Sequence, residues 1–159
     1  MASSFTIRKV NPEEVAFLSI IEQRCFEGPT AYSCDYLKYL VLNANSTCLV
    51  EVKDSIIRGF IIIMYCKGSR IAGIETIDVD PDYQNKSIGL CLLSAAEEDM
   101  ICHDVLFSQL EVSEGNKAAI NLYRKSGYVF KEKLPNYYQY EHNGTRNAIR
   151  LIKSLQQVH

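Results

Sequence analysis

The residues of this chain with the clearest chemical potential lie between Ile74 and Leu93, read as Ile-Glu-Thr-Ile-Asp-Val-Asp-Pro-Asp-Tyr-Gln-Asn-Lys-Ser-Ile-Gly-Leu-Cys-Leu-Leu. A strand-like run passes through a polar bend at Pro81 and Asp82 into a loop holding Lys86, Ser87 and Gly89, then into apolar residues of helical period. A loop that delivers backbone N–H groups to a helix N-terminus is an anion site, because the unpaired donors and the positive end of the helix dipole point the same way. The implied chemistry is binding of a phosphate-bearing ligand. Glu75 lies in the apolar strand ahead of this loop, where an acid is hard to explain as core. A carboxylate beside apolar walls has a raised pKa and suits general-base work, directly or through water. The competing reading is a solvated strand residue, since strand faces alternate.

The elements that must position these residues can be read in order. Phe5, Ile7 and Val10 suggest a short strand. Asn11, Pro12 and Glu14 form a helix start, with an Asx N-cap, proline at the first position and a carboxylate at N3. The helix carries Val15, Leu18, Ile21 and Cys25 on one face and ends near Phe26-Glu27-Gly28-Pro29, before an exposed loop from Phe26 to Tyr32 with aromatic and acidic side chains. Ser33 caps a second short helix bearing Leu37, Leu40 and Val41. Strand-like runs at Cys48 to Val52, Ile56 to Cys66 and Ile71 to Val79, joined by short turns, predict an antiparallel meander. A helix from about Ile88 to Met100 and a strand from Val105 to Val112 follow, then a helix capped by Asn116 and closed by Gly127. Asn143-Gly144, between Tyr137 to Glu141 and Arg146 to Ile152, predicts a terminal hairpin. The order specifies an α/β or α+β sheet domain with one crossover unit.

At 159 residues the chain is expected to form one domain, residues 1–159, with no need of disulfide or metal support. A net charge of -2 without a basic tract argues against nucleic-acid or membrane-surface binding. Six cysteines and three histidines, His103, His142 and His159, show no metal-ligand spacing, so no metal is expected. Cysteines in apolar surroundings suggest free thiols and a reducing, cytoplasmic setting. No leader-like segment opens the chain, and no run reaches the ~18 apolar residues of a membrane helix.

Three motifs in this order resemble the GNAT superfamily of acetyl-CoA-dependent N-acetyltransferases. Gln84-Asn85-Lys86-Ser87-Ile88-Gly89 occupies the place of that family's Q/R-x-x-G-x-G/A loop, with Ser87 in place of a glycine. Leu110-Glu111-Val112, Asn116, Ala119 and Leu122-Tyr123, followed by Gly127-Tyr128, resemble the LEV-x-x-x-N-x-x-A-x-x-L-Y-x-x-x-G-F/Y signature of the protein N-terminal acetyltransferases. Pro135-Asn136-Tyr137-Tyr138 resembles their P-x-Y-Y segment. The likeness spans roughly Phe5 to Leu155 and is greatest to the ribosomal-protein alanine and archaeal N-terminal acetyltransferase catalytic subunits. It implies a central mixed, mostly antiparallel sheet of about seven strands flanked by about four helices.

The same resemblance implies acetyl-CoA as cofactor. The backbone of Ile77, Asp78 and Val79 would pair with the pantetheine arm, and amides from Gln84, Asn85, Lys86, Ser87, Ile88, Gly89 and Leu90 would hold the pyrophosphate. Small residues belong at 87 and 89 because a backbone donor must reach phosphate oxygens. Asn116 and Ala119 match further coenzyme A contacts, and Tyr123 matches the phenol that protonates the departing sulfur. Glu111 matches the branch's catalytic glutamate; Glu75 is the other candidate base. Glu27, Tyr32, Glu75, Tyr137 and Tyr138 are candidates for gripping the substrate, implied to be a protein or peptide N-terminus of a ribosomal or nascent chain. Asn116 would also serve as a cap alone, and Tyr123 and the paired tyrosines as ordinary packing aromatics. The alternatives are a GNAT acting on a small amine or lysine side chain, and a non-catalytic acetyl-CoA-binding protein. Retention of Glu111, Asn116 and Tyr123 together argues against the latter.

Overall fold

The computed structural model describes residues 4–155. The first strand, β1 (Thr6–Lys9), ends where Asn11 starts a tight turn: Glu14 Oε1 accepts the Asn11 N–H at 2.8 Å. This is the reciprocal capping expected there, braced by Arg8 on the Glu14 carboxylate at 2.8 and 2.9 Å. The turn leads into α1 (Val15–Cys25), and α2 (Cys34–Leu42) opens with Ser33 Oγ accepting the Tyr36 N–H. Strands β2 (Ser46–Lys53), β3 (Ile56–Met64) and β4 (Ile71–Val79) form the antiparallel meander. The crossover follows through α3 (Ile88–Cys102) to β5 (Phe107–Ser113), then α4 (Lys117–Lys125), β6 (Val129–Leu134) and β7 (Ala148–Ser154). Helix α4 ends as expected at Gly127, at φ +100°, with the Gly127 N–H on the Arg124 carbonyl and the Tyr128 N–H on the Tyr123 carbonyl.

The sheet order is β1-β2-β3-β4-β5-β7-β6, antiparallel except for β4 beside β5. Along β3, Phe60 and Ile62 face α1 and α2 with Leu18, Leu37 and Leu40, whereas Ile61 and Ile63 face α3 with Leu92, Leu93 and Met100. Burial on both faces explains the continuous apolar run of that strand.

Two irregularities interrupt the sheet at β4. The β4–β5 ladder covers only Ile71–Ile74 against Phe107–Leu110, after which the strands part and residues 75–79 of β4 have no partner on that side. Between β3 and β4 the register skips Glu75, with Ile62 opposite Thr76 and Ile63 opposite Ile74. Glu75 is thus the extra residue of a bulge, a device that re-aims a side chain.

The terminal hairpin differs from the expectation. Asn143 and Gly144 do make a tight two-residue turn, at φ +56° and +80°, bridged by His142 and Thr145. Its first arm is not Tyr137 to Glu141 but β6, joined to β7 by a long loop that contains the turn. Pro135 cannot donate to a ladder, and the tyrosines after it face a cleft instead. His159 lies outside the described residues.

Candidate active site

A cleft of about 950 Å³ opens where β4 and β5 separate. One end is walled by Ile77, Val79 and the loop from Gln84 to Leu90, and by α4 through Asn116, Ala119 and Tyr123. Asn85 and Ser87 both sit in the left-handed region, at φ +64° and +63°, immediately before α3. Alternating left- and right-handed residues at a helix start aim successive N–H groups into one concavity. A Cβ on Gly89 would lie 3.8 Å from Leu122 and 3.9 Å from Val79, ordinary contact, so a methyl would fit there. Together the concavity and the unpaired β4 edge fit an elongated ligand with a diphosphate at one end. Gln84 Nε2 and Cys25 Sγ both donate to the Val79 carbonyl, which closes that end of the open edge.

At the other end, each candidate base meets a phenol. Tyr32 Oη donates to Glu75 Oε1 at 2.8 Å, and Tyr137 Oη to Glu111 Oε1 at 3.3 Å. Arg150 Nε lies 3.6 Å from Glu111 Oε2. The apolar walls expected around these carboxylates are therefore replaced by donors. Burial and the neighbouring acids Glu111 and Glu75 push the Tyr137 phenol up to about 12, and burial, Tyr137 and Glu111 do the same for Tyr138. Both remain protonated donors at neutral pH. Tyr138 stacks on His142 at 4.0 Å between centroids, and His142 meets the edge of Phe26, so two loops touch at the rim.

Tyr123, on α4, is buried and packs edge-to-face against Tyr128. Burial, with Asp78 and Tyr138 nearby, raises its phenol well above the ordinary value, so it carries its proton throughout the physiological range. Asn116 Oδ1 accepts the Ala119 N–H at 3.2 Å, so its capping role is real, and its amide hydrogens and the second lone pair of Oδ1 are left for a ligand.

Three of the proposed site residues stand apart from the cleft wall. Glu27 is exposed and Lys86 points to solvent, because the turns at Gly28–Thr30 and at the start of α3 aim them outward. Asp78 offers only backbone to the open edge; its side chain is 1% exposed behind β4. There it meets Glu22 of α1, also 1% exposed, which sequence reasoning did not single out. Burial first, then Asp78, pushes the Glu22 carboxyl up to about 9. Burial also raises Asp78, opposed by hydrogen bonds from Glu22 and Thr76. The available signal was spacing: Glu22 falls four residues after Leu18 on the helix face that packs on the sheet.

A sheet split between parallel strands, with a turn of left-handed residues ahead of a helix at one end of the split and acid–phenol pairs at the other, suits a transferase that takes an elongated thioester cofactor. The chain belongs to the acetyltransferase (GNAT) family, whose sequence pattern it matches over residues 15–128. Acetyl-CoA is accordingly its cofactor. The ribosomal-protein-S18-alanine N-acetyltransferase of Escherichia coli superposes with a TM-score of 0.86 at 24% identity, covering 98% of this chain and 97% of that one. Ard1 from Thermoplasma volcanium gives 0.82 at 26% identity, over 96% and 99%. The PaiA N-acetyltransferase of Thermoplasma acidophilum, solved with coenzyme A, gives 0.71 at 20%, over 95% and 99%. No curated protein sequence matches significantly. Among the described residues no His, Cys, Asp or Glu cluster is arranged to hold a metal, and no helix is long and apolar enough to cross a membrane. All six cysteines are free thiols.

Proposed function

We propose that the protein acetylates the α-amino group of protein N-termini by direct transfer from the bound cofactor, in a cytoplasmic setting. The observation that carries this reading is the pair of acid–phenol contacts, Tyr32 with Glu75 and Tyr137 with Glu111, contributed by two loops that meet over one end of the cleft. Such an end takes a cationic amine, strips its proton and offers hydroxyls to a peptide backbone. An α-amino group, with pKa about 8, asks less of a carboxylate than a lysine at about 10.4. Similarity to the E. coli and Thermoplasma volcanium enzymes points the same way.

When bound, acetyl-CoA supplies an activated acetyl thioester. The chain would hold it by the open β4 edge at 75–79 and by the amides before α3. Glu111, which accepts from Tyr137 and has Arg150 Nε 3.6 Å away, takes the amine proton directly or through water, with Glu75 on the neighbouring strand orienting the amine. Tyr123 Oη holds the proton for the departing sulfur; its buried phenol is an acid that does not ionise beforehand.

The test is incubation with acetyl-CoA and a panel of peptides with varied first residues, alongside lysine-only peptides with blocked N-termini and polyamines, read by mass spectrometry. N-terminally acetylated peptide is expected. Acetylation confined to lysine or polyamine would favour the alternative, a small-amine or side-chain enzyme, for which the acidity of the acceptor end speaks.

A further inference from the structure

Glu22 and Asp78, each 1% exposed, set two carboxyl groups side by side between α1 and β4, and Glu22 also borders the cleft. One oxygen of each group is satisfied. Glu22 Oε2 accepts the Tyr32 N–H at 3.0 Å, and Asp78 Oδ1 accepts the Thr76 hydroxyl at 2.7 Å. The remaining two, Glu22 Oε1 and Asp78 Oδ2, are buried and lack a donor among the described residues. Two bare carboxylates are acceptors only, so both oxygens would stay unpaired while the charges repel each other. One proton shared between the groups satisfies both at once.

Among the described residues no side chain donates a hydrogen bond to either of these two oxygens, and the one facing group that opposes the rise of Glu22 by charge is His142. The titratable groups facing the pair are Cys25 on α1, Cys48 on β2, Asp80 after β4, Tyr123 on α4, Tyr32 before α2, and His142 in the β6–β7 loop. None is a lysine or arginine, and Arg24, the nearest in sequence, is spent on Asp80 and Asp82. The pair also sits at a mechanical junction. Tyr32 is held at its N–H by Glu22 and at its hydroxyl by Glu75, the bulge residue of the strand that carries Asp78.

We propose that Glu22 and Asp78 share one proton and act as positioning residues, fixing Tyr32 and through it Glu75 at the acceptor end of the cleft. The kinetic consequence rests on the acceptor reading given above; the proton count does not, because it needs no substrate.

Unfolding by denaturant is measured from pH 5 to 8 for the wild type, E22Q and D78N. The native pair holds a proton that an unfolded glutamate, with pKa about 4.3, has already released. Stability due to the pair is therefore fully present only below the unfolded pKa of about 4.3 and is lost progressively across the measured range as pH rises. The unfolding constant of the wild type should climb about tenfold per pH unit relative to E22Q, whose amide donates to Asp78 and has nothing to lose. D78N, in which the amide donates to Glu22, should be as flat as E22Q. Parallel curves for all three would overturn the shared proton. In acetyl transfer, E22A should lower kcat/KM for the acceptor about 10- to 100-fold, with acetyl-CoA affinity held within about twofold. E22Q should recover about tenfold over E22A and keep its rate at alkaline pH, where the wild type declines as the pair loses its proton. An E22Q enzyme no better than E22A, or one with the wild-type alkaline limb, would overturn the positioning role while leaving the proton count to stand or fall by itself.

Discussion

Ser87 adopts φ +63° and ψ +17° at the N-terminus of α3, and its hydroxyl makes no capping hydrogen bond. An L-residue pays roughly 1–2 kcal/mol to enter this region, whereas glycine enters freely but adds about 0.4–1 kcal/mol of unfolded-chain entropy. The first effect wins, so Ser87→Gly should stabilise the protein by about 0.5–1 kcal/mol, read in denaturant titration. Acetyl-CoA affinity should be unchanged or tighter by calorimetry; a loss of tenfold or more would show that the hydroxyl is itself a phosphate ligand. The two acceptor acids make a second residue-scale case. Glu111 accepts from Tyr137 with Arg150 Nε 3.6 Å away, and Glu75 accepts from Tyr32. Glu111→Gln should cut kcat by about 10²-fold, the lower range for loss of a general base, with acetyl-CoA affinity within about twofold. An unchanged rate would transfer the role to Glu75. Tyr123→Phe, which removes the proton-bearing oxygen from a buried ring, should likewise lower kcat by about 10–10²-fold without a matching loss of cofactor affinity.

At the scale of elements, what the sequence revealed depended on how local the cause was. Caps at Asn11, Ser33 and Asn116 and the glycine close of α4 are decided within a few residues, and each lies where its side chain predicts. The Asn143-Gly144 turn is equally local. Its flanking strand was not legible, because β6 is an exposed edge whose Lys and Glu residues blur the alternation, while the side chains of Tyr137 and Tyr138 face the cleft even though the Tyr138 N–H pairs with the Arg146 carbonyl. The Glu22–Asp78 pair and the Glu75 bulge were hidden for the opposite reason: both arise from α1 and β3 meeting β4, a long-range event. Gly115 shows how tightly two loops are keyed together. A Cβ there would collide with the Asn143 carbonyl oxygen and lie 3.1 Å from the Asn143 Cβ. Gly115→Ala should therefore push the β6–β7 loop outward and disturb Tyr137 and Tyr138 before it disturbs the cofactor end. The expected result is a KM for the acceptor raised about 5- to 50-fold, by the sensitivity of catalysis to small displacements, with acetyl-CoA affinity unaltered. Equal damage to both constants would mean that the loops move as one body.

For the whole molecule, the split between β4 and β5 is a weakness in the sheet and, in the reading proposed above, the place where the cofactor binds. On either side of it lie strands paired along most of their length, and across it the halves are joined directly by the Ile71–Ile74 ladder with Phe107–Leu110, extended by the Arg70 carbonyl accepting the Leu106 and Phe107 N–H groups. The helices supply the rest of the connection, with Leu92, Leu93 and Met100 of α3 and Tyr123 of α4 in one core shared with Leu110 and Leu151. A ligand that pairs with the open edge at 75–79 while touching α4 completes the interrupted sheet. Binding to the folded state alone stabilises by about 2.7 kcal/mol at a hundred times Kd and about 4.1 at a thousand, so acetyl-CoA should raise the unfolding midpoint in steps that follow its concentration. Global stabilisation by itself would protect every core amide equally. Because local opening is governed by the least supported segments, the excess protection in hydrogen exchange should concentrate in β4 residues 75–79 and in the loop before α3, and be small in β1 and β2. Protection spread evenly over the sheet, or absent from 75–79, would mean that the cofactor does not use the open edge, and the arrangement of the acceptor end would then need a different axis through the cleft.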